Sequence, residues 1–198
     1  MKVSVPDRKG QILLEATRLF SENGFDKVTI KELAEACGIT EPALYRHFPS
    51  KEAIYAAVLD SVEQRLSSSD LFVHLDKEND LEKLLRGLAQ HILEFFTSNR
   101  DLYRLLLFSA LRDHAKAKRV YQVIRGVYVT FLCQQLDRLY EEGIIIKKDN
   151  QLTARCFIGM VFDCVLGITL WRGFQGKVYE PEEAMANNIP IYVRGLKA

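Results

Sequence analysis

Between Thr40 and Lys51 the sequence reads TEPALYRHFPSK, a run dense in side chains that can meet an anionic, heteroaromatic polymer. As a helix turning about 100° per residue, it points Leu44 and Phe48 the same way and sends Pro42 and Arg46 almost directly opposite. Arg46 then presents a guanidinium fork, the group that pairs with the major-groove edge of guanine. Pro42 and Ala43 offer apolar surface to thymine methyls. Tyr45 and His47 fall on the two flanks, where phosphates lie when a helix enters a groove. Lys51, beside the next helix start, can add a charge-assisted phosphate contact. Glu41 is either an acceptor for a cytosine amino group or a solvated carboxylate favoured by the helix dipole.

These side chains need a scaffold, and the preceding residues supply it. Thr29 and Glu32 have the spacing of a capping box, with Val28 and Leu33 as its hydrophobic staple. Thr40 caps a second start, stapled by Ile39 and Leu44, and Pro42 is tolerated in its first turn. Ser50 can cap a third. Between the first two helices lie Cys37, Gly38 and Ile39, a short turn whose glycine can take positive φ. Leu33, Cys37, Ile39, Leu44 and Phe48 form the expected buried side. Upstream, Ile12, Leu13, Ala16, Leu19 and Phe20 follow a helical period that Gly24 ends.

The stretch VTIKELAEACGITEPALYRHFPSKEAI, from Val28 to Ile54, resembles the DNA-binding signature of the TetR family. Gly38-Ile39-Thr40, Leu44 to Phe48 and Ser50-Lys51-Glu52 carry the likeness, with Leu19-Phe20 and Gly24-Phe25 before them. It covers about the first 55 residues. The resemblance implies a homodimeric regulator, usually a repressor, with a ligand pocket in its C-terminal helices. It places Thr40, Tyr45, His47 and Lys51 at phosphate-contacting positions. Glu41, Pro42, Ala43 and Arg46 match base-reading positions, and Thr29 one that touches the DNA backbone.

Helical periodicity continues to the C-terminus. Helices are expected from Ser50 to about 67 and near 81–98, 101–112, 115–142, 151–173 and 181–196. Asp113-His114, the Gly143–Asn150 stretch and Gly173–Glu180 supply breaks, and Ser67–Asp80 is a polar connector. The fold expected is all-α, with roughly nine helices. Residues 1–52 form a helix-turn-helix domain, and 53–198 a ligand-binding and dimerisation domain entered by a connecting helix at about 50–67. The 151–173 helix is apolar nearly all round, and the last carries Met185, Ile189, Val193 and Leu196 at helical spacing. These two are the expected two-fold dimer interface, with Pro190 removing one backbone hydrogen bond.

The aromatic supply of the C-terminal half suggests a small, mostly apolar ligand. Pocket candidates are His91, Phe95, Tyr103, Arg125, Tyr128, Phe131, Phe157, Met160 and Asp163, of which His91, Arg125 and Asp163 would orient it. Most aromatics are ordinary core. The alternative is a DNA-bound scaffold that recruits a protein partner.

Composition sets the limits. With 27 basic and 26 acidic residues, net charge gives no hint of nucleic acid, so the case rests on placement. Four scattered histidines and no nucleophile, phosphate-loop or metal spacing argue against an enzyme, and no cofactor is implied. Cys37, Cys133, Cys156 and Cys164 form no C-x-x-C pair and suit a reducing cytoplasm. The apolar run Cys156–Trp171 is short for a bilayer and holds Asp163, so no membrane span is expected.

Overall fold

The computed structural model describes residues 8–67, 70–112, 119, 121–171 and 180–197. Ten α-helices occur among them: α1 Arg8–Asn23, α2 Ile30–Ala36, α3 Glu41–His47, α4 Lys51–Ser67, α5 Asp70–Leu75, α6 Leu81–Ser98, α7 Arg100–Arg112, α8 Val127–Glu141, α9 Asn150–Thr169 and α10 Pro181–Leu196. A π-helical turn, Gln122–Gly126, leads into α8. The expected breaks at Asp113-His114 and within 173–179, and the first residues of the 115–142 helix, lie outside the described residues.

The helices group into two compact units, 1–67 with 101–123, and 68–100 with 124–198. Helix α4 runs unbroken from Lys51 to Ser67 and packs on α1. In this first unit α1 buries Ile12, Ala16 and Phe20, one stripe at four-residue spacing. Helix α4 answers with Ile54, Tyr55, Val58 and Leu59. The rings of Phe20, Phe25 and Tyr55 meet at centroid distances of 5.3–6.3 Å, locking the chain that leaves α1 against α4.

In the second unit α9 is the central helix. It packs against α6, α8 and α10 and buries Ala154, Phe157, Ile158, Val161, Phe162 and Val165. By length and hydropathy Asn150–Thr169 could cross a bilayer; here one face of it packs against three neighbouring helices and the rest is left partly open. It starts where Asp149 accepts from the Leu152 amide at 2.9 Å. Helix α6 presents the clearest stripe, Leu81, Leu84, Leu85, Leu88, Ala89, Ile92, Leu93 and Phe96, all buried. The helix α10 passes through Pro190 without ending, and buries Met185, Ile189, Val193 and Leu196.

The expected polar connector Ser67–Asp80 instead holds α5. Within it LFVHL supplies enough apolar surface to dock: Phe72 meets Tyr128 at 6.0 Å and Phe131 at 4.8 Å. Leu75 approaches α6 at Gly87, where a Cβ would stand 3.2 Å from its Cδ2. The residues after α5 are tied to α8. The buried Gln135 donates to Asp76 at 3.1 Å, while Arg138 donates to Asn79 Oδ1 at 2.6 Å and to the Glu78 carbonyl at 2.7 Å.

Arg138 thus adds side-chain bonds to a segment whose backbone pairs through the Glu78 amide on the Leu75 carbonyl at 3.2 Å and the Asp80 carbonyl accepting from the Leu84 amide at 2.9 Å. Arg138→Met should lower the stability of the free protein by roughly 1.5–3 kcal/mol, the range for hydrogen bonds to a charged group. Urea unfolding checks this. An unchanged midpoint would show that residues 76–80 hold their place without it.

Candidate nucleic-acid interface

The interface is built on two caps and a turn. Thr29 Oγ1 accepts from the Glu32 amide at 3.2 Å, and Glu32 Oε2 accepts from the Thr29 amide at 2.7 Å and hydroxyl at 2.9 Å. These donors hold the Glu32 carboxyl below its ordinary pKa. At the other end of α2, Gly38 has φ +64°, and the Gly38 and Ile39 amides donate to Glu35 and Ala34 carbonyls at 3.0 Å. Thr40 then caps α3 through the Ala43 amide at 3.4 Å.

Both short helices bury one side. Val28, Leu33, Ala34, Cys37, Leu44 and Phe48 are all buried, and Ile39 is half-buried at the turn. The rotation read from the sequence therefore holds. Glu41, Pro42, Tyr45 and Arg46 are exposed, and Ala43 and His47 half-buried. Thr29 and Thr40 are exposed at their helix starts. Among the described residues Arg46 has no ion-pair or hydrogen-bond partner, so its fork is available.

The acidic residues are largely paired within the module. Glu15 and Glu22 bracket Arg18 at 3.0 and 3.1 Å on α1, Glu35 faces Lys31 at 3.9 Å, and Glu32 is held in its capping box. Glu41 remains at the exposed start of α3, where the helix dipole favours it.

Lys51 has defined partners in the free protein. Its Nζ donates to the carbonyls of Phe25 at 2.8 Å, Val28 at 2.9 Å and Asp26 at 3.4 Å, and stands 4.5 Å from the Phe25 ring centre. In the free protein the ammonium is bonded to the chain between α1 and α2. Three outward carbonyls in a turn form a better-defined cation site than solvent does, and a lysine stem at the start of α4 reaches it. Phe25, as ring and as carbonyl, is the partner the sequence reading overlooked; its place after a helix-ending glycine was the available signal.

The ligand candidates divide. In the second unit His91, Phe95, Arg125 and Tyr128 belong to one aromatic cluster centred on Tyr128 and Phe162. The His91 and Tyr128 rings lie 6.0 Å apart, His91 and Phe95 6.2 Å, and Tyr128 and Phe162 6.4 Å. Arg125 Cζ sits 5.3 Å from the Phe162 centroid. Phe131 joins through Phe72. Phe157 is core, packed edge-on to Tyr192 of α10 at 5.2 Å. Met160 is half-buried on α9, and Tyr103 is buried in the first unit. Asp163 is corrected: it is exposed, because the inward residue at that turn of α9 is its neighbour Phe162. The spacing of Ile158, Val161, Phe162 and Val165 marks that face in the sequence.

Burial leaves several of these groups without partners. Tyr128 is fully buried, and among the described residues its hydroxyl has no hydrogen-bond partner; the buried His91 Nε2 and Arg125 Nε likewise have none there. Desolvation raises the Tyr128 pKa and lowers that of His91, favouring the neutral form of each. Among the described residues no cluster of His, Cys, Asp and Glu could hold a metal ion.

An exposed helix behind a capped turn, projecting an arginine from a surface whose acidic residues are largely paired, is the geometry of a helix-turn-helix DNA reader. Residues 12–58 match the bacterial regulatory proteins of the tetR family. Over 146 residues the chain is 33% identical to the nucleoid occlusion factor SlmA of Glaesserella parasuis, covering 72% of this chain and 71% of that protein. The fatty acid degradation regulator FadR from Bacillus halodurans superposes with a TM-score of 0.76 at 18% identity, over 96% of this chain and 97% of that one. AibR, solved with isovaleryl coenzyme A and operator DNA, gives 0.67 at 20% identity, over 93% and 97%. The chain belongs to the TetR family. It is a DNA-binding transcriptional regulator.

The position of Lys51 yields a test in the absence of DNA. Lys51→Met keeps the stem and removes the donors, and should destabilise the protein by roughly 1.5–3 kcal/mol. Thermal unfolding with and without salt checks it: the loss should persist at high salt, since short bonds to carbonyls are poorly screened. A variant as stable as the parent would return Lys51 to the role of a free surface cation.

Proposed function

We propose that this regulator is a repressor that binds its operator as a two-fold dimer and is released by a small ligand with a large apolar part. One observation carries the ligand half of this reading: the fully buried, unpartnered hydroxyl of Tyr128, beside the equally unsatisfied His91 Nε2 and Arg125 Nε. A buried polar atom without a partner costs roughly 1–3 kcal/mol, and native interiors seldom leave three in one neighbourhood. A ligand that supplies the missing partners removes the cost. Two proteins of the same fold, one a fatty acid degradation regulator and the other bound to isovaleryl coenzyme A and operator DNA, support the reading by analogy.

On the DNA side, α3 enters the major groove. Arg46 reads guanine, with Glu41, Pro42 and Ala43 at neighbouring base edges. Thr29, Thr40, Tyr45 and His47 meet phosphates, and Lys51 orients the head from behind. Helices α9 and α10 pair with their copies across the two-fold axis. Leu152 is 57% exposed and Ile191 61%, apolar surface that a second subunit would cover. With DNA as partner and four free cysteines, the protein works in the cytoplasm.

The relative at 33% identity supports a second reading, because it is a nucleoid occlusion factor. In that case the DNA-bound chain is a scaffold for another protein, and the same exposed residues would serve that partner. Ligand-dependent release separates the two: coupling of about 1–3 kcal/mol, or roughly 5–150-fold in operator affinity, belongs to a sensor.

The base-reading role is tested by selection from random DNA. Arg46→Ala should weaken operator binding by about 1–3 kcal/mol and relax preference at one or two base pairs per half-site. An unchanged consensus would mean that Arg46 does not read sequence.

A further inference from the structure

We propose that the Tyr128 cluster is a carboxylate-binding site, its ligand a monoanionic amphipath whose head meets Arg125, Tyr128 and His91 and whose tail lies among the surrounding rings. The inference rests on the reading that the 68–100 and 124–198 helices hold a ligand, and names its chemistry.

Arg125 supplies the first argument. It is half-buried, its Nε is buried without a partner, and among the described residues no carboxylate pairs with it. Its immediate neighbours are the face of Phe162 and the backbone of α9 at Gly159, where a Cβ would stand 3.2 Å from a guanidinium nitrogen. A ring face stabilises a cation partly, but it does not satisfy N–H donors. A planar carboxylate does both.

Second, the remaining polar groups suit the same head. Arg125 and Tyr128 are three residues apart along the chain that enters α8, and Phe162 touches both. The Tyr128 hydroxyl is a donor awaiting an acceptor. His91, held neutral by burial, carries one N–H that Nε2 can present. All three can donate to an anion, while a neutral apolar ligand would leave them unsatisfied.

Third, Arg125 sits in the π-helical turn Gln122–Gly126. Such turns cost helix stability, and they recur where a site needs a side chain redirected. The tail has an apolar bed in Phe95, Phe96 and Phe162, whose rings are linked by contacts at 5.0 and 5.2 Å.

The test uses the full-length protein and straight-chain carboxylates from butanoate to dodecanoate below their micelle concentrations, with the matching alcohols as neutral controls. Calorimetric titration should show a carboxylate of optimal length binding at least tenfold more tightly than its alcohol. Arg125→Met should abolish that preference without lowering the melting temperature of the free protein, and Tyr128→Phe should weaken carboxylate binding several-fold. Equal binding of acid and alcohol overturns the carboxylate inference and leaves a ligand-released repressor standing. Binding of neither overturns it as well. Carboxylate binding that leaves operator affinity unchanged upholds the site and refutes release.

Discussion

The reading head depends on one buried-side cation contact: the Lys51 ammonium gathers the carbonyls of Phe25, Asp26 and Val28 at the first residue of α4. Three carbonyls pointing together repel one another and would each need a donor. With the cation among them, the connection after α1 is fixed to the start of α4, and Val28 lies in position for the α2 staple. The aromatic trio of Phe20, Phe25 and Tyr55 closes the same junction from the apolar side. Exposure of Arg46 follows from this frame, since α3 can turn Pro42 and Arg46 outward only if Leu44 and Phe48 have a core to enter.

The second unit contrasts with the first. In the head nearly every polar group near the turn has a partner: Thr29 with Glu32, Thr40 with the Ala43 amide, Arg18 with two glutamates. Around Tyr128 three buried polar atoms lack partners among the described residues, although α9 packs closely on α6 and α8. Rigid, satisfied recognition surfaces hold geometry against a fixed partner, whereas unsatisfied interior groups make a site whose stability depends on what fills it. A ligand can shift a conformational equilibrium only through such differential contacts.

Much of the head was legible in the sequence because its determinants are local. Caps, staples and a glycine turn are separated by three to five residues, and the face of α3 follows from the helical period alone. The carbonyl contacts of Lys51 were not legible, because the acceptors are backbone groups 23 to 26 residues away, which side-chain chemistry does not advertise. Helix α5 was missed because LFVHL is too short to show a period, and its existence depends on docking to Tyr128 and Phe131. In the C-terminal half the apolar stripes gave the helices, but not which inward polar residues would lack partners. His91 and Arg125 are there; Asp163 drew notice as a charge in an apolar run, but the roughly 100° between successive helical residues turns Phe162 inward and leaves Asp163 exposed.

The central claim is that α3 lies in the major groove with Arg46 at a base edge. Dimethyl sulfate footprinting tests it most directly, because the reagent methylates guanine N7 in the major groove and adenine N3 in the minor groove. On a selected operator, the account predicts protection of guanine N7 in two half-sites about one helical turn or slightly more apart, with one protected guanine in each exposed again in the Arg46→Ala complex. Protection confined to adenine N3, or a guanine pattern indifferent to Arg46, would contradict it.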